Sequence, residues 1–273
     1  MLFTSSLAQD VALGAAVIAS ALVSSVSAHG YVAAITAGGK TYQGSNPNWY
    51  YQPSGQVVPT AGWFALNQDN GFVSPSAYGT ADVGCHKSGK AGNQQIPVAA
   101  GSSVVLNWNT WPISHHGPVI DYLAKCSGNC TALTDASSLS FFKIAQSGLL
   151  NDNSPPGTWA TDAITTAPYA WTIKIPSSVA PGNYVLRHEL IGLHAAGSSN
   201  GAQNYPQCIN LQITGSGTAT PSGTKATALY KATDPGILID IYSKISSYTI
   251  PGPTFASIKK MARHARDFVL DAE

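Results

Sequence analysis

Residues 182–194 read GNYVLRHELIGLH, and residues 207–215 read QCINLQITG. Both are short runs of β-branched, aromatic and aliphatic residues bounded by Gly and Asn, which predicts two strands rather than helices. The same texture recurs outward in both directions. GYVAAITAG (30–38), SSVVLNWNTW (102–111) and YAWTIKIP (169–176) lie between clusters of Gly, Pro, Asn and Ser. No long stretch before residue 250 has helical period, so the pattern predicts an all-β, antiparallel β-sandwich. Long loops rich in Gly, Pro, Asn and Tyr fall at 40–80 and 145–168. In a rigid sandwich such loops carry the binding surface.

Composition narrows the partner. The chain has 273 residues, 10% charged and 44% hydrophobic, with a formal net charge of +1. That is globular rather than disordered, and it lacks the basic face that nucleic acid requires. A surface of hydroxyls, amides and aromatics suits a neutral polar partner such as sugar. VALGAAVIASALV (11–23) is an uncharged apolar run followed by SSVSA and then His29. It is short for a membrane span, and Val26-Ser27-Ala28 fits signal peptidase, so residues 1–28 are expected to be a signal peptide of a secreted, extracellular protein. The first ten residues depart from the usual signal in holding Asp10 and no Lys or Arg.

The cysteines are Cys85, Cys126, Cys130 and Cys208, which permit three disulfide pairings. Ser-Gly-Asn between Cys126 and Cys130 is turn-like, so those two are expected to close a local loop and Cys85–Cys208 a long one. The spacing that a four-cysteine zinc site would need is absent. Asn129-Cys130-Thr131 is an N-x-T sequon, which makes Asn129 a candidate glycosylation site. Residues 215–225 have linker composition, but residues 228–253 are too short for a module and are expected to wrap the same domain. From residue 255 the chain is charged, with apolar positions compatible with one helical face, and residues 254–273 are expected to be an extension, disordered or a short amphipathic helix.

Three segments carry candidate chemistry. Cleavage after Ala28 would leave His29 with a free amine, and that nitrogen and Nδ1 can chelate one metal together. WPISHHGPV (111–119) sets two histidines on a Pro- and Gly-bounded loop. In LRHELIGLH, His188, Leu190, Gly192 and His194 share one strand face, as do Gln203 and Tyr205 in GAQNYPQC (201–208). A lone histidine in such strands is more often a satisfied structural residue.

Together, His29 at the cleavage site, His115-His116-Gly117-Pro118, LRHELIGLH and the QxYPxC stretch closely resemble the lytic polysaccharide monooxygenases of auxiliary activity family 9, formerly glycoside hydrolase family 61. The resemblance covers residues 29–253 and includes IYSKISSYTIPGP at its end. It implies an immunoglobulin/fibronectin III-like sandwich with a flat substrate face and one copper ion cycling between Cu(II) and Cu(I). The implied ligands are the amine and Nδ1 of His29, a ring nitrogen of His115, and axial Tyr205, with His194 and Gln203 beside the axial Tyr and the oxygen species. Tyr242 is a candidate for stacking on sugar; Tyr248 could do the same or pack at the sandwich edge. The implied function is oxidative cleavage of cellulose or a related β-glucan at C1 or C4. It needs O2 or H2O2 and an external electron donor such as cellobiose dehydrogenase or small phenols. A monomer is expected. A two-carboxylate hydrolase is the rival: residues 29–253 contain one Glu, Glu189, beside Arg187, and eight Asp scattered through turn-like segments, which leave a carboxylate pair open. A sugar-binding module without chemistry is the other.

Overall fold

The computed structural model describes residues 29–52, 56 and 58–256. The expected signal peptide (1–28) and nearly all of the expected extension (254–273) lie outside the described residues.

Two sheets form the body. The smaller runs in the order β2 (Lys40–Gln43), β1 (Val32–Ala37), β4 (Ser103–Trp108), β9 (Ala170–Lys174). The larger runs β12 (Thr224–Lys225), β6 (Ser140–Ser147), β5 (Val119–Lys125), β10 (Gly182–Gly192), β11 (Gln203–Thr214), β3 (Ile96–Ala99). A small hairpin joins β7 (Leu149–Asn151) to β8 (Thr158–Trp159), and the one α-helix among the described residues is the single turn α1 (Asp82–Cys85). Pairing is antiparallel except at one edge, where β3 runs parallel to β11. The sandwich is therefore slightly mixed.

The larger sheet is covered on both faces. One face meets the smaller sheet: Leu123, Leu186, Leu190, Tyr205 and Ile209 pack with Ile35, Leu106, Trp108 and Trp171. Trp111 and Trp171 are core residues, as expected of tryptophans in strand-like runs. The other face carries Tyr122, Val185, Ile191 and Cys208 against Trp63, Trp159, Tyr230 and Ile241 from the loops. Strands buried on both sides read as continuous apolar runs, because neither face is left for water. That is why VIDYLAK and SFFKIAQS lack a clear alternation, although they form β5 and β6.

Polar groups are buried on both faces, and the main cluster on each is internally satisfied, as burial demands. Between the sheets, His188 Nδ1 lies 2.6 Å from Asp121 Oδ1, Trp108 Nε1 donates to His188 Nε2, and Trp171 Nε1 donates to Asp121 Oδ2. Under the loops, Arg187 donates from both terminal nitrogens to the two oxygens of Glu189, which also accepts from Asn204 and Tyr230. Both expected disulfides are formed. Cys85–Cys208 ties α1 to β11, and Cys126–Cys130 closes the turn after β5.

Candidate metal centre

The site is assembled where three chain segments meet at one end of the sandwich. His29 directly precedes β1. Tyr31 N donates to Asn109 Oδ1 and Asn109 N to Tyr31 O, so the start of the described chain is fastened to the segment leaving β4. Gly30 permits that approach, since a Cβ there would stand 2.1 Å from Thr110 O. The same segment then turns at 112–115: His115 N donates to Pro112 O, and Trp111 Nε1 donates to His115 O. Its next residue but one, Gly117, lies so close to β10 that a Cβ would meet Ile191 O at 1.8 Å. The third segment is β10 with β11, whose register sets Leu190 opposite Tyr205 and Gly192 opposite Gln203.

The rings converge. His29 and His115 have centroids 4.9 Å apart, and the Tyr205 ring stacks 5.4 Å from His29. His194 lies just beyond the end of β10, 4.1 Å centroid to centroid from His115. Gly192 leaves space for this, a Cβ there being 3.3 Å from His115 Cδ2. The Tyr205 hydroxyl donates to Gln203 Oε1 at 2.7 Å.

Electrostatically the pocket favours neutral imidazoles. Burial, then the neighbouring His194, His29 and His116, push His115 down to about 3. Burial lowers His29 too, partly offset by the Asp69 carboxylate and reinforced by Lys87. His194 is lowered by burial and by His29 and His116. Burial raises the Tyr205 phenol, with Asp69 adding to the effect, so it stays protonated. Neutral imidazole is the form that a metal binds.

Two buried nitrogens of the site, His115 Nε2 and His194 Nδ1, have no hydrogen-bond partner; elsewhere among the described residues the same holds for His86 Nε2. Such orphans are rare unless something else occupies them. Among the described residues, no group of three or more His, Cys, Asp or Glu side chains is arranged to hold a metal. A metal held here would take the imidazoles of His29 and His115 as its side-chain donors, and any third nitrogen would come from the main chain.

His29, His115, His194, Gln203 and Tyr205 are therefore brought together. His188 is not: it belongs to the polar cluster between the sheets. His116 turns to Asp162 instead, at 2.7 Å. Tyr242 is 56% exposed, available to a surface ligand. Tyr248 packs edge-on to Trp159 and donates to Gly236 O, so it is a packing residue. Asn129 is exposed. Sequence reasoning missed Phe72, which packs against His29 and Tyr205, as well as the charges Asp69 and Lys87. No spacing in the sequence links that loop to the histidines. Glu189, the lone glutamate of the hydrolase alternative, is fully buried against Arg187 and cannot reach a substrate.

Residues 29–249 match Auxiliary Activity family 9 (formerly GH61). The chain is 54% identical over 225 residues to AA9 family lytic polysaccharide monooxygenase A of Thermoascus aurantiacus, covering 82% of this chain and 98% of that protein. It is 52% identical over 238 residues to its namesake from Talaromyces verruculosus, covering 87% and 72%. Among solved structures, the extended catalytic domain of H. jecorina LPMO9A, also called EG4, superposes with a TM-score of 0.78 at 47% identity, covering 84% of this chain and 91% of that one.

Proposed function

The chain belongs to Auxiliary Activity family 9, formerly GH61, and from that membership we propose that it is a secreted, copper-dependent monooxygenase that cuts cellulose or a related β-glucan at C1 or C4. That it is a lytic polysaccharide monooxygenase, an oxidoreductase, follows from its identity to the relatives named above. Members of the family are copper-dependent, extracellular and act on polysaccharide in general. The finer proposal covers the metal set, the substrate, secretion after removal of residues 1–28, and a single catalytic domain over 29–253. The observation that carries it is the His29–His115 pair beside Tyr205 at the residue where the family match begins.

In this reading, copper would be held by the amine and Nδ1 of His29 and by Nε2 of His115, with the Tyr205 phenol beside it. The donor set fits, because borderline nitrogen ligands favour copper over harder cations, and His115 Nε2 is buried without another partner. Bound there, copper supplies one-electron exchange with a reductant and activation of O2 or H2O2. The chain's own part is positional. Gln203 Oε1 accepts a hydrogen bond from the Tyr205 hydroxyl, which fixes the ring's tilt. The unpartnered Nδ1 of His194 is a group able to hold or pass a proton beside His115. Exposed Tyr242 would stack on a sugar ring. Cellobiose dehydrogenase or small phenols are the proposed electron donors, and a monomer the proposed state.

Mass spectrometry of the products from cellulose with copper and ascorbate tests the function. Lactone, aldonic acid or ketone ends are expected. Hydrolytic ends alone would overturn it.

A further inference from the structure

A second polar surface lies outside the metal centre. A cavity of about 300 Å3 opens beside the Cys126–Cys130 turn, walled by Asn93, Gln94, Gln95, Asn183 and Gln212, with Asn129 and Thr131 in the same lining. All of these side chains are neutral: six carry amides and one a hydroxyl. Such a wall offers paired donors and acceptors without a charge, which matches sugar hydroxyls and acetamido groups. The volume is at the lower end of small-ligand sites.

The cavity is built rather than incidental. Gln95 Oε1 accepts from Cys130 N, Gln95 Nε2 donates to Asn183 Oδ1, and Asn183 Nδ2 donates to Gly128 O. The amides of β10 and of the segment before β3 thus hold the turn that presents the sequon. Within it, Asn129 Oδ1 accepts from Thr131 N at 3.0 Å. That bond uses the amide oxygen and leaves Nδ2, the atom that carries a glycan, outside it.

We propose that this groove is the bed of an N-linked glycan on Asn129, its amides hydrogen-bonding the first N-acetylglucosamine units. The proposal rests on the reading that the chain is secreted, since the donor, a lipid-diphosphate-linked oligosaccharide, is met on that route. In the transfer, Asn129 Nδ2 bonds to C1 of the first sugar and gives up one proton. The C1–O bond to the diphosphate breaks, and the lipid diphosphate leaves with the electron pair. Gln94 and Gln212 are exposed wall residues, so they serve as the test positions.

The test uses the full chain secreted from a yeast host, alongside a Gln94→Ala/Gln212→Ala variant that keeps the sequon. Peptide mass spectrometry reads occupancy of Asn129. An endoglycosidase that cuts between the first two sugars reads shielding under native conditions. The expected result is an occupied Asn129 whose glycan is released slowly, and roughly tenfold faster from the variant, the factor that one or two hydrogen bonds supply. A bare Asn129, or equal release from both proteins, overturns the proposal. Oxidised products from the same preparation keep the two readings separate: an active enzyme with a bare Asn129 sinks the glycan bed alone. A glycosylated but inactive one sinks the copper reading alone.

Discussion

His116 Nδ1 stands 2.7 Å from Asp162 Oδ1, one residue along the chain from the histidine whose ring faces His29. Asp162 uses its other oxygen to accept from Trp159 N, and Thr161 Oγ1 accepts from Gly117 N. The HHGP loop is therefore pinned to the 3-10 turn Ala160–Ile164, and adjacent histidines have different work. His115→Ala should abolish tight Cu(II) binding. His116→Ala should lower affinity by about tenfold, the range of a supporting partner. Calorimetry on both variants checks this, and the reverse ranking would mean that the ligand is His116.

Metal binding should also require the cleaved chain. Protein beginning at His29 is expected to bind one Cu(II), while one additional residue before it turns the amine into an amide. The loss should exceed about 100-fold, because a removed ligand costs more than a removed supporting partner. Equal calorimetric affinities for the two forms would dismiss the amine as a ligand.

Glu189→Gln should act on stability and not on chemistry. The substitution leaves Arg187 buried without its counter-charge, which costs about 3–5 kcal/mol. Denaturant unfolding should register that loss. At a temperature where the variant is folded, its products from cellulose should remain oxidised; loss of oxidised ends there would give Glu189 a role at the site.

Lys143 provides a pH signature. Burial pushes its ammonium down to about 8, although Gln146 Oε1 and Pro251 O accept from it. The folded value lies below the ordinary 10.5, so the folded chain sheds this proton before the unfolded chain does. Unfolding free energy should then rise with pH between about 8 and 10.5, by roughly 3 kcal/mol in all, and be flat below that window. Lys143→Met should lack the rise. Parallel slopes in the two proteins, from chemical denaturation at several pH values, would refute the assignment.

Local chemistry in the sequence was enough to find the parts of the site whose neighbours are close along the chain. Gln203 and Tyr205 alternate on one strand face, which period alone gives, whereas the convergence of His29 and His115 on them was legible only through the family resemblance. The same period grouped His188 with His194, yet only His194 reaches the site. His188 faces the smaller sheet and is satisfied by Asp121, 67 residues earlier, a pairing that no local pattern announces. Phe72 and Asp69 were invisible for the same reason. The strand Val119–Lys125 escaped notice because loops cover its outer face, which removes the alternation that marks a strand. Tyr248, undecided between surface and core, is settled by Trp159, from a hairpin about ninety residues away.

The register of β10 against β11 has a consequence for how this protein tolerates change in length. Tyr205 faces the histidines while Asn204 and Pro206 face the opposite way, because side chains alternate along β11. A single residue deleted inside β11 would exchange these faces, turning an asparagine or a proline toward His29 and Cys208 away from Cys85. A residue added or removed in the exposed turn Ser198–Asn200, beyond His194, is absorbed before the pairing begins. Heredity can thus lengthen or trim that connection freely, while the strands on either side behave as a ruler whose divisions cannot be moved by one.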